Sequence, residues 1–378
     1  MSETNENTEN ITKSINFEIS RNLYTWLNFY NCSIISTSYK TNLVFCFSRN
    51  SDKINVWYSN FSRPMELFVS KNQNNLGDTI HLGTQLGIIS FINNNNEKIN
   101  KDIQNNVIYD KNFVGKRFNI IGDLDIHDVY ELDGSIYFAS SLLNSICVIS
   151  PNTTNTTNNF DIFWTPSFIT YKNDTPKKNN KIPNEDRCHL NSFCIVDGKV
   201  KYATTVSDTD VEGGWRDNRV GGGIILDIET DEIVCSNLCM PHSLNYYKNK
   251  LYVLDSGTGR FGYVDFNEPN LDNRFKEIAF IPGFLRGLKF IDTYAVIGMS
   301  MDRHEKLFSG LPLNDIMKNK KINPRCGIKI VNIVTGDIEH SIELINVMEI
   351  YGIGIVENSK TTRLLDLTTD SLINAYKY

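Results

Sequence analysis

Four residues with nitrogen-bearing side chains, His127, Asn191, His242 and Arg286, each stand six positions before a turn-forming residue: Asp133, Asp197, Lys248 and Asp292. The common offset places all four at one point of a repeating unit. His189 lies two residues before Asn191 and so shares its strand face. Three of the six histidines therefore fall at unit starts. Neutral imidazoles from separate strands can ligate a divalent metal with a position left open for substrate. Alternatively, one can act as general base while Arg286 stabilises a carboxylate or enolate, as in β-elimination. The catalytic candidates are His127, His189, His242 and Arg286, and the same three histidines are the candidates for one divalent metal ion. The substrate-binding candidates are Asn191, Arg187 before "CHLN", Trp215, Arg216 and Arg219 in "GGWRDNRVGGG", and Tyr351 in "MEIYGIG". The bland alternative is that these residues only hydrogen-bond backbone groups around a channel. His304 and His340 stand outside the register and read as loop or surface residues.

The units that must position these residues share one plan: a polar opening residue, a short apolar run, a turn, and a second apolar run centred on Tyr. Strand-turn-strand units of about 40 to 60 residues, with no convincing amphipathic helix between them, predict an all-β chain and a β-propeller. Five fairly complete blades open at Arg63, His127, His189, His242 and Arg286. "RCGIKIVNIVTGDIEHSIEL" from Arg325 reads as the later strands of the Arg286 unit, displaced by an insertion of about 25 residues. If the N- and C-terminal strands pair in one blade, the ring closes with six; separate blades would make seven. A short helix near Trp26 is expected to cover one face. Residues 1–15 read as a disordered Asn/Thr/Glu-rich tail, and 16–378 as one propeller domain with loop insertions near 93–106, 152–185 and 301–325. The segments 207–223 and 301–312 are long enough to reach over a channel mouth.

"LYVLDSGTGRFGYVD" contains the spacing G-x-G-x-x-G at Gly257, Gly259 and Gly262. A dinucleotide site needs a helix to begin among these glycines. The following "YVDFNEPNLDN" alternates and then turns, so the stretch reads as a β-hairpin and no dinucleotide is expected. Ser256 lacks the G-x-S-x-G setting of a nucleophile elbow.

A net charge of −6 gives no footprint for nucleic acid. No run approaches the roughly 20 apolar residues of a membrane span, and the N-terminus lacks a secretory signal pattern. The expectation is a soluble cytoplasmic protein with no nucleic-acid or membrane partner. Eight cysteines without C-x-x-C spacing read as free, buried thiols.

The segments "DIHDV", "EDRCHLN", "GGWRDNRVGGG", "MPHSL", "LDSGTGR", "PGFLRGL" and "RCGI" resemble those of a conserved hypothetical, mostly bacterial family of unknown function with propeller-like repeats, over roughly residues 20 to 360. That resemblance implies the fold and no particular reaction. A looser similarity is to propeller lyases acting on uronic-acid polysaccharides or cyclic peptides, which place channel histidines and a metal at the blade entrances. The resulting expectation is a lyase or hydrolase acting on a carbohydrate or other anionic small substrate. The alternative is a non-catalytic propeller that binds a protein or glycan partner. The position of "GGWRDNR" discriminates: over the channel it supports a covered active site, and on the outer rim an interaction surface.

Overall fold

The computed structural model describes residues 15–70, 78–94, 101–102, 107–151, 159–170, 185–301 and 309–368. Residues 1–14 of the expected tail, parts of the three insertions, and His304 lie outside the described residues.

Asp133, Asp197, Lys248 and Asp292 all take positive φ values, between 44° and 50°. Each opens a two-residue loop between antiparallel strands, joining for example Ile126–Leu132 to Ser135–Ser140 and Leu190–Val196 to Lys199–Thr205. Left-handed loop residues match the right-handed twist of the strands they join, and Asp-Gly supplies them at low cost. The six-residue frame is therefore a hairpin frame, and it sets where every inner strand begins.

Among the described residues, six sheets of four or five strands form a six-bladed β-propeller. We number the blades from the N-terminus. Blades 2 to 6 open with inner strands Leu67–Ser70, Ile126–Leu132, Leu190–Val196, Pro241–Tyr247 and Phe284–Ile291. Blade 1 takes its inner strand, Ile353–Glu357, from the C-terminal region, antiparallel to Cys32–Ser38. The ends thus share one blade, and the ring has six. Gly327–Asn332 and Ile338–Ile345 complete blade 6 after the insertion, as expected from the segment at Arg325. Two further clasps were not visible in the repeat: Asn16–Ile19 adds a fifth strand to blade 6, and Thr362–Leu364 adds one to blade 2, parallel to Lys111–Ile120.

A separate apolar core fills each seam between neighbouring blades. Tyr252, Leu254 and Phe261 of blade 5 pack on Leu285, Leu288 and Ile297 of blade 6. Phe45 and Phe47 of blade 1 pack with Val296, Ile328 and Ile330 of blade 6 across the closing seam. The short helix expected near Trp26 exists, at Leu23–Phe29, but it does not cover a face. Its buried Leu23, Trp26 and Leu27 wedge into that closing seam. A second helix, Pro312–Lys320, lies in the insertion after blade 6's second strand. Proline sits at its start, and Leu313 and Met317, four apart, are buried on one side.

The glycine stretch forms the hairpin joining Lys250–Asp255 to Arg260–Val264. Gly259 has φ of 72°, while Gly262 is required by proximity: a Cβ there would lie 2.1 Å from the Lys276 carbonyl oxygen of the next strand. No helix of the described residues is long and apolar enough to cross a membrane.

Candidate active site

The frame residues sit at backbone irregularities that repeat from blade to blade. The inner-strand register shifts between Ile126 and Asp128, between Leu190 and Ser192, between His242 and Asn245, and between Arg286 and Leu288. A bulge sets two residues against one and re-aims the side chains at that point. Two positions before the frame residue, Asp125, His189 and Met240 adopt left-handed backbone, with φ between 48° and 54°. That turn brings a main-chain carbonyl to the imidazole: His127 Nδ1 donates to Asp125 O at 2.9 Å and His242 Nδ1 donates to Met240 O at 2.7 Å. A carbonyl only accepts, so these rings carry the proton on Nδ1 and present an unprotonated Nε2. His189 occupies the turn position rather than a strand face, which corrects the strand-face argument. Its Nδ1 lies 2.7 Å from Asp186 Oδ2.

The three imidazoles converge. Ring centroids of His127 and His189 are 4.7 Å apart, those of His189 and His242 are 6.4 Å apart, and Tyr351 is 5.9 Å from His127. The Arg286 guanidinium lies over the Tyr351 ring at 4.5 Å. All six blades supply lining to one cavity of about 10 Å³, room for about a single water: Tyr351, Glu66, His127 and Asp128, Asn191 and Ser192, His242 and Ser243, and Arg286. Trp215, buried, stacks on His189 at 4.2 Å and so caps the histidine cluster beside this cavity. The exposed Arg216 lies over the Trp215 ring at 4.5 Å, and Arg219 donates to the Arg216 and Ser309 carbonyls. "GGWRDNR" therefore lies over the channel, with its arginines on the lid. Arg187, also buried, holds that lid: its guanidinium pairs with Glu185 and Asp210, and its carbonyl accepts from Trp215 N. Asn191 bridges blades 4 and 5 by donating to the Pro241 carbonyl at 2.9 Å. Of the two residues outside the register, His340 lies on blade 6's outer strand beside Trp26.

The family model described as "Domain of unknown function (DUF4915)" matches residues 21–365. The chain belongs to this family. No curated protein matches it by sequence. Among solved structures it is similar to a chain of a nidogen/laminin complex, at 10% identity and TM-score 0.49, over 86% of this chain and 99% of that one. It is also similar to a luciferin-regenerating enzyme, at 7% identity and TM-score 0.37, over 93% and 100% of the two chains. A third is apo AztD from Citrobacter koseri, at 8% identity and TM-score 0.36, over 88% and 99%.

In this DUF4915 propeller, the repeat frame passed over the residues directly after it. Asp128, Ser192 and Ser243 follow His127, Asn191 and His242 by one, and strict alternation would send them to the other face. The bulges keep both at the channel, and each stitches its blade to the next. Asp128 accepts from Ser192 Oγ at 2.8 Å and Phe193 N at 3.1 Å, Ser192 Oγ from Leu244 N at 2.7 Å, and Ser243 Oγ from Gly287 N at 2.9 Å. Glu66, just before blade 2's inner strand, has no histidine or arginine to flag it.

Burial dominates the site's protonation. It pushes His127 down to about 4 against the pull of Asp125. Burial and then the Arg286 charge hold His242 well below its usual range. Burial raises Glu66 to about 8 and Asp128 to about 6 despite Lys289, and lifts Tyr351 well above 10. Among the described residues, no three His, Cys, Asp or Glu side chains gather as a metal site.

The depressed histidines set a stability limb. Between their unfolded value near 6.5 and their folded values, the unfolded chain binds more protons, so stability falls as pH drops. From pH 7 to pH 5 the loss is expected to be roughly 2 kcal/mol for His127, and His242 adds a loss of the same sign. Chemical denaturation at the two pH values should show this loss, and His127→Gln with His242→Gln should remove it. Glu66 and Asp128 act in the opposite direction, losing stability as pH rises, so comparison with the double variant isolates the histidines.

Proposed function

We propose that this propeller is a lyase or hydrolase that binds the anionic group of a carbohydrate or other small substrate on Arg286 and performs acid–base chemistry beside it. One observation carries the reading. Arg286 is 7% exposed, its Nε is buried without a hydrogen-bond partner, and among the described residues its side chain makes no ion pair. An unpaired buried cation is costly, and an arriving carboxylate removes that cost. Among the described residues, His242 Nε2 and the Tyr351 hydroxyl, on the same cavity, are also buried without hydrogen-bond partners.

The roles follow from protonation. His242 Nε2 is a lone-pair acceptor and acts as the base, while Tyr351, which stays protonated, is the proton donor. In an elimination, His242 takes the hydrogen on the carbon next to the carboxylate held by Arg286. The C–H electrons form the C=C bond, the C–O bond breaks, and Tyr351 protonates the departing oxygen. Water then returns the proton from His242 to Tyr351. A substrate carboxylate neutralises the Arg286 charge that depresses His242, so binding makes the base stronger. In a hydrolysis, the same imidazole would deprotonate a water in the cavity.

The lid position of Trp215 supports a covered active site over an interaction surface on the rim. The cavity holds about one water, so substrate entry requires side chains around it to move. Incubation with oligosaccharides of uronic acids and with acidic glycosides, followed by absorbance of an unsaturated product and by release of reducing ends, tests the reading. Turnover is expected from the natural chain and none from His242→Ala. Absence of turnover, together with calorimetric titrations showing no carboxylate binding that depends on Arg286, would overturn it.

A further inference from the structure

Beside the polar centre, and outside it, lies a cavity of about 230 Å³ between the helix Pro312–Lys320 and blade 6. Its apolar walls are Phe284, Leu311, Leu313, Met317 and Ile322, with Lys318 at the rim. Well-packed interiors hold few voids larger than a water, and an apolar space of about 150 Å³ is enough to take benzene. None of the chemistry assigned to His242 or Tyr351 needs this space.

Phe284 joins the two sites. It forms part of the apolar wall, while its ring centroid lies 5.5 Å from that of His242 and 5.9 Å from the Arg286 guanidinium carbon. Phe284 is thus a wall residue of the apolar pocket and a direct neighbour of His242 and Arg286, which brings apolar volume next to the place where a ligand's charge would sit. The same helix and the Trp215 lid belong to one hydrophobic cluster with Phe284, Leu313 and Met317, so lid and pocket form one body.

We infer that the pocket under the helix Pro312–Lys320 is a subsite for an apolar substituent, about one aromatic ring in size, on the anionic substrate held by Arg286. This rests on the anion-binding reading of the channel and narrows it: the preferred substrate is an acid bearing an apolar group, such as an aryl-substituted acidic sugar or an arylalkanoate, rather than a bare acidic sugar.

Calorimetric titration of the full chain with three probes tests it: phenylacetate, acetate and benzyl alcohol. Phenylacetate is expected to bind about tenfold or more tighter than either of the others, as burial of a ring and pairing of a charge combine. Leu313→Trp, which fills the pocket, should reduce phenylacetate to the level of acetate. Ile322→Trp, which enters from the partly buried wall, should do the same if Leu313→Trp fails to fold. Arg286→Gln should reduce phenylacetate to the level of benzyl alcohol. Equal binding of acetate and phenylacetate, both dependent on Arg286, would overturn the subsite and leave the anion site standing. Binding of phenylacetate that ignores Arg286 would overturn the inference by separating the pocket from the channel. If no acid binds in an Arg286-dependent way, both readings fall.

Discussion

Replacing Arg286 with Gln is expected to lower kcat/KM on an anionic substrate by about 10²–10³-fold, the scale seen when one preorganised charge-stabilising donor is removed. The guanidinium is the cation in the cavity's lining and forms no ion pair among the described residues; its charge is felt by the Glu66 carboxyl, which burial keeps protonated up to about 8. Arg286→Lys should rescue little, because an ammonium cannot form the planar, paired contact to a carboxylate, nor spread over the Tyr351 ring. Two controls separate this role from a structural one. On the neutral methyl ester of the same substrate, the natural chain and Arg286→Gln should differ by less than about tenfold. The melting temperature of Arg286→Gln should be unchanged or higher, since the substitution removes an unpaired buried charge. A variant that melts far lower and loses both substrates equally would show that Arg286 holds the fold.

Ending the chain at Gly352 is expected to abolish cooperative unfolding. Blade 1 would lose Ile353–Glu357, its innermost strand and its antiparallel partner for Cys32–Ser38. The strand also joins two seams: Ile353 packs in the blade 1 and blade 6 core, and Val356 in the core shared with blade 2. Without it, Cys32–Ser38 becomes an unprotected edge of almost wholly buried residues, an invitation to pairing with other chains. Thermal scans by circular dichroism should show no sigmoidal transition for the truncated chain. The point variant Ile353→Ala should still unfold cooperatively, at a cost of about 2–5 kcal/mol for a fully buried side chain. An unchanged melting curve for the truncated chain would mean that the remaining blades hold the ring open-ended.

The repeat frame reached the site through local chemistry. Asp133, Asp197, Lys248 and Asp292 are turn residues whose left-handed conformation is a property of short sequence, so the strands behind them, and hence His127, Asn191, His242 and Arg286, could be aligned by counting. Blade closure was legible as one of two outcomes, six blades with shared ends or seven with separate ones, and the pairing of Ile353–Glu357 with Cys32–Ser38 decides for six. The helix Leu23–Phe29 was legible as a helix but not in place: seven residues carry too little pattern to distinguish a cover from a wedge, and only the seam between blades 1 and 6 decides that Trp26 is core.

What the chain's own sequence determined is therefore the fold class, the blade count once the ends pair, and which four positions stand equivalent around the ring. Tertiary structure alone decided how those positions act. A bulge is a matter of register between strands, so it could not be read from one strand, and it brings Asp128, Ser192 and Ser243 to the channel against the alternation rule. Nor could counting show that Arg187 is spent on Glu185 and Asp210 while Arg286, an equally basic side chain, is buried without an ion pair among the described residues. Partnership between charges depends on distances across blades, and those exist only after the ring has closed.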